Sequence, residues 1–243
     1  TSDFRISDLM NGDTPTSLYI VIPPSDIARL RPLVRILMNQ FLTRLMANME
    51  FEGGSQKRHY KHRLLLMLDE FTSIGKLEIF EKALAFMAGY GIKAFIIVQD
   101  LVQLQKVYGR EESISSNCHI RIASAPNNIQ TAKLLSDMAG KTTLIQVKRS
   151  RSQSPGRTSN VSDTVSEVAR PLMTPDETMS LPGIRKGLFG RTIAGDMLIF
   201  VAGHAPIYGR QQLYFQNKKF LRRAAIDAPS MVLRGDKKKK EIG

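Results

Sequence analysis

Two hydrophobic rhythms divide this chain. The first is the short, nearly unbroken apolar run, seen at Leu18–Ile22, Leu64–Leu68, Ile92–Val98 and Met197–Ala202. Runs that short, without polar alternation, suit strands buried on both faces, as in the middle of a parallel sheet. Cys118–Ala123, Lys141–Lys148 and Ile207–Phe215 are further strand candidates, the last closing a pair with Met197–Ala202. The second rhythm places apolar residues three and four apart. It runs through Leu30, Val34, Leu37, Phe41 and Leu45 and predicts a long helix over Asp26–Glu50, capped by Ser25 or Asp26. Arg29, Arg31, Arg35 and Arg44 lie largely off that stripe, on a solvated face or a contact surface. Shorter helices are predicted over 76–87, 102–108, 111–117 and 127–139. Another starts at Thr174-Pro-Asp-Glu177, where proline and acids suit a first turn, and ends at Leu181-Pro-Gly183. Strands and helices taken in turn predict an α/β fold, with a parallel sheet and crossover helices.

Polar chemistry sits where the apolar runs stop. Leu64–Leu68 is followed at once by Asp69 and Glu70, at the carboxyl edge where α/β sheets place their ligands. An aspartate there can hold Mg²⁺ through oxygen ligands, and a neighbouring glutamate can orient or activate a water. This is the shape of a Walker B strand in a nucleotide-hydrolysing domain. A buried strand that merely ends in two solvated acids has the same pattern. Gln99, ending the run after the next helix, bears on the choice: its amide can hydrogen-bond a γ-phosphate or an attacking water. Strand-Asp-Glu, helix, strand-Gln is a rarer arrangement than either half alone. Ala139-Gly-Lys-Thr-Thr143 contains the Gly-Lys-Thr of a phosphate-binding loop, but Leu135 stands where the earlier glycine is required. A helix precedes it where a strand should, so Gly140 reads as a helix end. The chain therefore shows no Walker A loop.

Charge adds a polyanion partner. Thirty-five Lys and Arg against 22 Asp and Glu give a net charge of +13, which favours nucleic acid or an anionic membrane surface. Lys148, Arg149, Arg151, Arg157 and Lys237–Lys240 fall in expected loops and tails, and an excess survives their removal. The Ser/Arg-rich stretch 149–163 reads as a mobile loop, 52–58 as a flexible connection, and 218–243 as a basic tail. One cysteine, Cys118, excludes an internal disulfide framework and fits a reducing compartment. Cys118 and the four histidines show no zinc spacing. No run reaches the roughly 18 apolar residues of a membrane span. The chain begins Thr1-Ser-Asp, as a piece of a longer protein would.

The segments YIVIPPSDIARLRPLVRILMNQFL, LLLMLDEFTSIGKLEIFEKALAFMAGYGIKAFIIVQDLVQLQKVYG and FVAGHAPIYGRQQLYF closely resemble the type IV secretion coupling proteins of the VirD4/TraG family. The resemblance runs over most of 1–217. It implies a RecA-like P-loop NTPase fold, a mostly parallel sheet flanked by helices, incomplete here because the Walker A half precedes this region in the family. It implies ATP and Mg²⁺ as cofactors of the complete protein. Asp69 would help hold the metal through water, Glu70 would activate water, and Gln99 would sense the nucleotide. It further implies a homo-hexamer on the cytoplasmic side of the bacterial inner membrane, anchored through a segment absent from this chain. Its partners would be non-specifically bound DNA, the relaxase and channel subunits. Some relatives carry an arginine after the helix that follows Walker B. Here Met87-Ala-Gly-Tyr90 has none, leaving Arg110 or Arg121 as stand-ins. Two other readings remain: a non-hydrolytic docking module, and a translocase of the FtsK/HerA kind.

Overall fold

The computed structural model describes residues 4–48, 51–52, 55–56, 59–152 and 160–227. A single helical turn, Asp8–Asn11, buries Leu9 and Met10. Leu18–Ile22, expected as a strand, forms no strand and has no ladder partner among the described residues, and Leu18, Tyr19, Ile20 and Val21 are exposed. Apolar β-branched residues favour extension, but a strand also needs a neighbour for its N–H and C=O groups. Pro24–Asp26 then forms a 3₁₀ turn leading into helix α1, Ile27–Leu45. Asp26 occupies the capping position without capping: its Oδ1 accepts instead from Arg29, 3.0 Å away. Val34, Met38, Phe41 and Leu42 are buried, and Leu30, Leu37 and Leu45 half-buried. The stripe is thus real but rotated by roughly 45°, toward Met38 and Leu42, at about 100° per residue. Phe51–Glu52 and Ser55–Gln56 form a minimal antiparallel ladder within the expected connection, whose remaining residues 53–54 and 57–58 lie outside the described ones.

Strand β1 (Leu64–Leu68), helix α2 (Glu78–Leu84) and strand β2 (Ile92–Ile96) form a crossover unit, with β1 and β2 parallel and Leu68 opposite Ile96. Burial on both faces does not hold within this chain. Leu68 and Ile92 are buried, whereas Leu65 and Met67 are 55% and 64% exposed and Phe95 and Ile97 lie open beside them. Helices α1 and α2 cover one face, and no described element packs on the other. Helix α3 (Leu101–Tyr108) follows, then one turn at Ile114–Asn117, strand β3 (Ile120–Ala123) and helix α4 (Ile129–Ala139).

Beyond α4 the pairing changes character. β4 (Lys141–Ser152) and β5 (Asn160–Pro171) form a long antiparallel ladder, running from Lys141↔Pro171 to Ser152↔Asn160. The expected loop 149–163 is therefore strand at both ends, with 153–159 outside the described residues. Pairing there is made by backbone, and Val161, Thr164, Val165 and Val168 give the return strand its β-branched propensity. Helix α5 (Pro175–Met179) starts on a capping box formed by Thr174 and Glu177. β6 (Asp196–Val201) pairs antiparallel with both β7 (Ile207–Arg210) and β3. So β3 joins this second sheet rather than extending the parallel pair, and a small core of Leu135, Ala139, Leu181, Leu198 and Phe200 sits beneath it. The expected basic tail opens with a helix, α6 (Lys218–Ala224), capped by Asn217; residues 228–243 lie outside the described ones.

Candidate functional site

The carboxyl ends of β1 and β2 are tied together one step past their ladder. Ile97 N–H donates to Leu68 O at 3.0 Å, and Phe71 N–H donates to Ile97 O at 3.0 Å. Between those two bonds the chain must turn, and it does so at Glu70, whose φ of 47° makes it the one non-glycine in the left-handed region among the described residues. That conformation costs an L-residue roughly 1 kcal/mol or more, and such strain persists where the surroundings over-determine it. Phe71 supplies the anchor. Its fully buried ring lies 5.0 Å from Phe80 and stacks at 5.5 Å on Tyr108. The Tyr108 hydroxyl accepts from Leu77 N–H at 3.1 Å and lies 3.4 Å from Gly75 O, its acceptor. Burial raises the pKa of this phenol to about 12.

The turn delivers Glu70 to Gln99. Gln99 Nε2 donates to Glu70 Oε2 at 3.0 Å, joining two of the three residues singled out in the sequence. Asp69, the third, is exposed at the same strand end. Further bonds brace the elements that follow the two strand ends. Asp100 Oδ1 accepts from Val102 N–H at 3.0 Å, which caps α3, and it also accepts from the Thr131 hydroxyl on α4. Asp-Leu-Val-Gln is a legible cap signal, but the bond from Thr131 spans elements and is not. The Thr72 hydroxyl faces Gln103 Oε1 at 3.5 Å, and Arg31 Nε donates to Ser73 O at 3.1 Å, tying α1 to the turn.

Two carboxylates and an amide at one sheet edge suit a hydrated Mg²⁺, which takes one or two protein carboxylates and keeps several waters. The phosphate side does not fit the described residues. Gly140, with φ 86°, ends α4, and Lys141 opens β4, so Gly-Lys-Thr follows a helix and leads into a strand. Arg121 is half-buried, with Nε donating to Cys118 O at 3.2 Å, whereas Arg110 is exposed just after α3. Burial raises the Cys118 thiol pKa, as befits a structural rather than a reactive cysteine. No cluster of three potential metal ligands from His, Cys, Asp and Glu occurs among the described residues. Nor is any described helix long and apolar enough to cross a membrane.

Comparison with known proteins places this edge in context. The family described as "Type IV secretory system Conjugative DNA transfer" matches residues 1–234. The conjugal transfer protein TraG of Escherichia coli is 52% identical over 95% of this chain, which spans only 37% of that relative's length. Protein VirD4 of Agrobacterium fabrum (strain C58) is 28% identical over 91% of this chain and 30% of its own length. Among solved structures, the plasmid coupling protein TrwB in complex with ADP and Mg²⁺ aligns with a TM-score of 0.62 at 18% identity, covering 87% of this chain and 43% of that one. This likeness shows the fold, RecA-like α/β, of which the parallel pair β1–β2 is a part. The chain belongs to the conjugative DNA-transfer family of type IV secretion, that of the VirD4/TraG coupling proteins.

Proposed function

We propose that Asp69, Glu70 and Gln99 form the metal-and-water half of an ATP-hydrolysing site, in a coupling protein that delivers relaxase-bound DNA to a type IV secretion channel. The observation behind this reading is the Gln99–Glu70 hydrogen bond, which joins the ends of two parallel strands across a strained turn. Asp69, facing solvent, would hold Mg²⁺ through water, and the ion would offset phosphate charge. Glu70 would take the proton of an attacking water. Gln99 orients the Glu70 carboxylate by donating to one oxygen and leaves the other free to accept from water. A phosphate entering the site would compete for the same amide, so Gln99 is placed to report nucleotide state along α3. The phosphate cradle would come from another part of the complete protein. The reading extends to a membrane-anchored hexamer in which Arg110, exposed after α3, is better placed than Arg121 to reach a neighbour.

In the full-length protein, Glu70→Gln is expected to lower ATP turnover by about 10²–10⁴, the usual scale for a general base. Turnover near wild type would remove Glu70 from the chemistry. The second reading, a non-hydrolytic docking module, has the open apolar face of β1 and β2 in its favour. It predicts wild-type delivery of DNA by the Glu70→Gln protein.

A further inference from the structure

Thr131 stands in the first turn of α4, is only 8% exposed, and lies in no sequence motif. A threonine hydroxyl on a helix commonly turns back to a carbonyl of its own segment, as Thr178 does to Thr174 O at 2.9 Å. That of Thr131 instead crosses to Asp100 Oδ1, 31 residues earlier in the chain. The helix that carries it is firmly seated. Asn128 Oδ1 caps it by accepting from Gln130 N–H at 2.7 Å, and Ser136 Oγ donates to Met173 O at 2.6 Å. Leu135 and Ala139 lie in the second core, and Ala132, beside Thr131, is fully buried. Thr131 therefore offers Asp100 a fixed partner, sheltered from competing water.

Asp100 in turn governs where Gln99 can go. Before Gln99 the chain is held at Ile97, whose N–H and C=O both bond to the end of β1. After it the chain is held at Asp100, by Thr131. Gln99 is itself exposed, so packing does not fix its amide. Its aim at Glu70 Oε2, 3.0 Å away, is set by a backbone pinned on both sides.

We propose that Thr131 is a positioning residue for ATP hydrolysis: its hydroxyl fixes Asp100, and through it the Gln99 amide that orients the Glu70 carboxylate. The proposal rests on the hydrolysis reading above. The hydroxyl is not needed for the cap of α3. A carboxylate oxygen can accept twice, and the bond from Val102 N–H at 3.0 Å survives when the one from Thr131 is lost. Removing the hydroxyl thus frees the strand end to shift while α3 keeps its start. This separates positioning from folding, which Asp100→Ala does not.

Steady-state ATP hydrolysis by the full-length protein tests this. Thr131→Val keeps the shape of the side chain and removes the hydroxyl. Its kcat should fall about tenfold with KM for ATP unchanged, because a slightly misplaced orienting group costs rate rather than uniform binding. Thr131→Ser keeps the hydroxyl and removes the buried methyl, and should hold kcat within about twofold of wild type. A packing defect would appear in both variants, a lost bond in the valine variant alone. In a Gln99→Ala background Thr131→Val should have no further effect, since residues that act through one group do not add. Amide hydrogen exchange across 97–102 should quicken in Thr131→Val and not in Thr131→Ser. Equal losses in the serine and valine variants, a raised KM in place of a lowered kcat, or unchanged exchange would overturn the proposal. So would a further loss of the same size in the Gln99→Ala background. Glu70→Gln, measured alongside, tells two failures apart. If it is inactive while Thr131→Val turns over as wild type, the positioning role alone falls. If it hydrolyses ATP as wild type, the hydrolysis reading falls and this role with it.

Discussion

Glu70 combines two properties that pull in opposite directions. Its carboxylate is needed at the strand end, and its side chain is a poor choice for a φ of 47°. Glu70→Gly and Glu70→Ala both lose the bond to Gln99, and only glycine relieves the turn, so the glycine variant should be the more stable of the two by up to about 1 kcal/mol, less whatever chain entropy glycine adds, with turnover abolished in both. A denaturant midpoint for Glu70→Gly no higher than that for Glu70→Ala would show that the turn is not strained. Tyr108 gives a second residue-scale test. Its pKa is raised from the ordinary 10.0 to about 12, so above the ordinary value the unfolded chain releases this proton while the folded one keeps it. Stability accordingly falls as pH rises through this window, and the drop is smaller in Tyr108→Phe. The same substitution leaves Leu77 N–H without its acceptor, at a cost of about 1–3 kcal/mol below that window. Asp69, Glu70 and Gln99 were legible in the sequence because each ends an apolar run. The left-handed turn was not, since nothing local marks glutamate for it.

At the scale of elements, caps and cross-ties decide how firmly the site is held. Asp100 caps α3 and receives the Thr131 hydroxyl from α4, one residue after Gln99. Asp100→Ala should cost about 1–2 kcal/mol by chemical denaturation and lower turnover in the full-length protein, through the displaced Gln99. Thr174→Ala is the control, with a similar cost near 1 kcal/mol from the lost capping box and no effect on hydrolysis. Within that box the Thr174 backbone N–H, and then the Arg170 guanidinium, hold the Glu177 carboxyl below its ordinary pKa. Its contribution is present at neutral pH and lost as pH falls through the acidic range. The capping box was readable as Thr-Pro-Asp-Glu. The partner of β3 was not, because β6 lies more than seventy residues further along the chain.

At the scale of the whole molecule, the described residues leave an apolar face of the parallel pair open along Leu65, Met67, Phe95 and Ile97. Parallel strands normally bury both faces, so the isolated chain should bind a hydrophobic dye such as ANS more strongly, per mole, than the full-length protein. Equal dye binding would mean that this face stays open in the parent. The isolated chain should also hydrolyse no ATP, because the described residues supply acids and an amide but no phosphate cradle. The net charge of +13 predicts DNA affinity that falls steeply between low and moderate salt, as counterion release requires.

Local pattern was enough for the apolar runs, the helix stripe of α1, the strand-end acids with Gln99, the false Gly-Lys-Thr and the family resemblance. Each of these is written in adjacent residues or in helical spacing. Partnership was decided only in three dimensions. Leu18–Ile22 has strand composition and no ladder partner among the described residues, while 149–152 and 160–163 have loop composition and pair across a ladder. Burial likewise depends on what packs above a strand, which Leu64–Leu68 does not encode. The Glu70–Gln99 bond needed both: the residue types from the sequence, and a turn bent by Phe71 and its aromatic anchor to bring them within 3.0 Å.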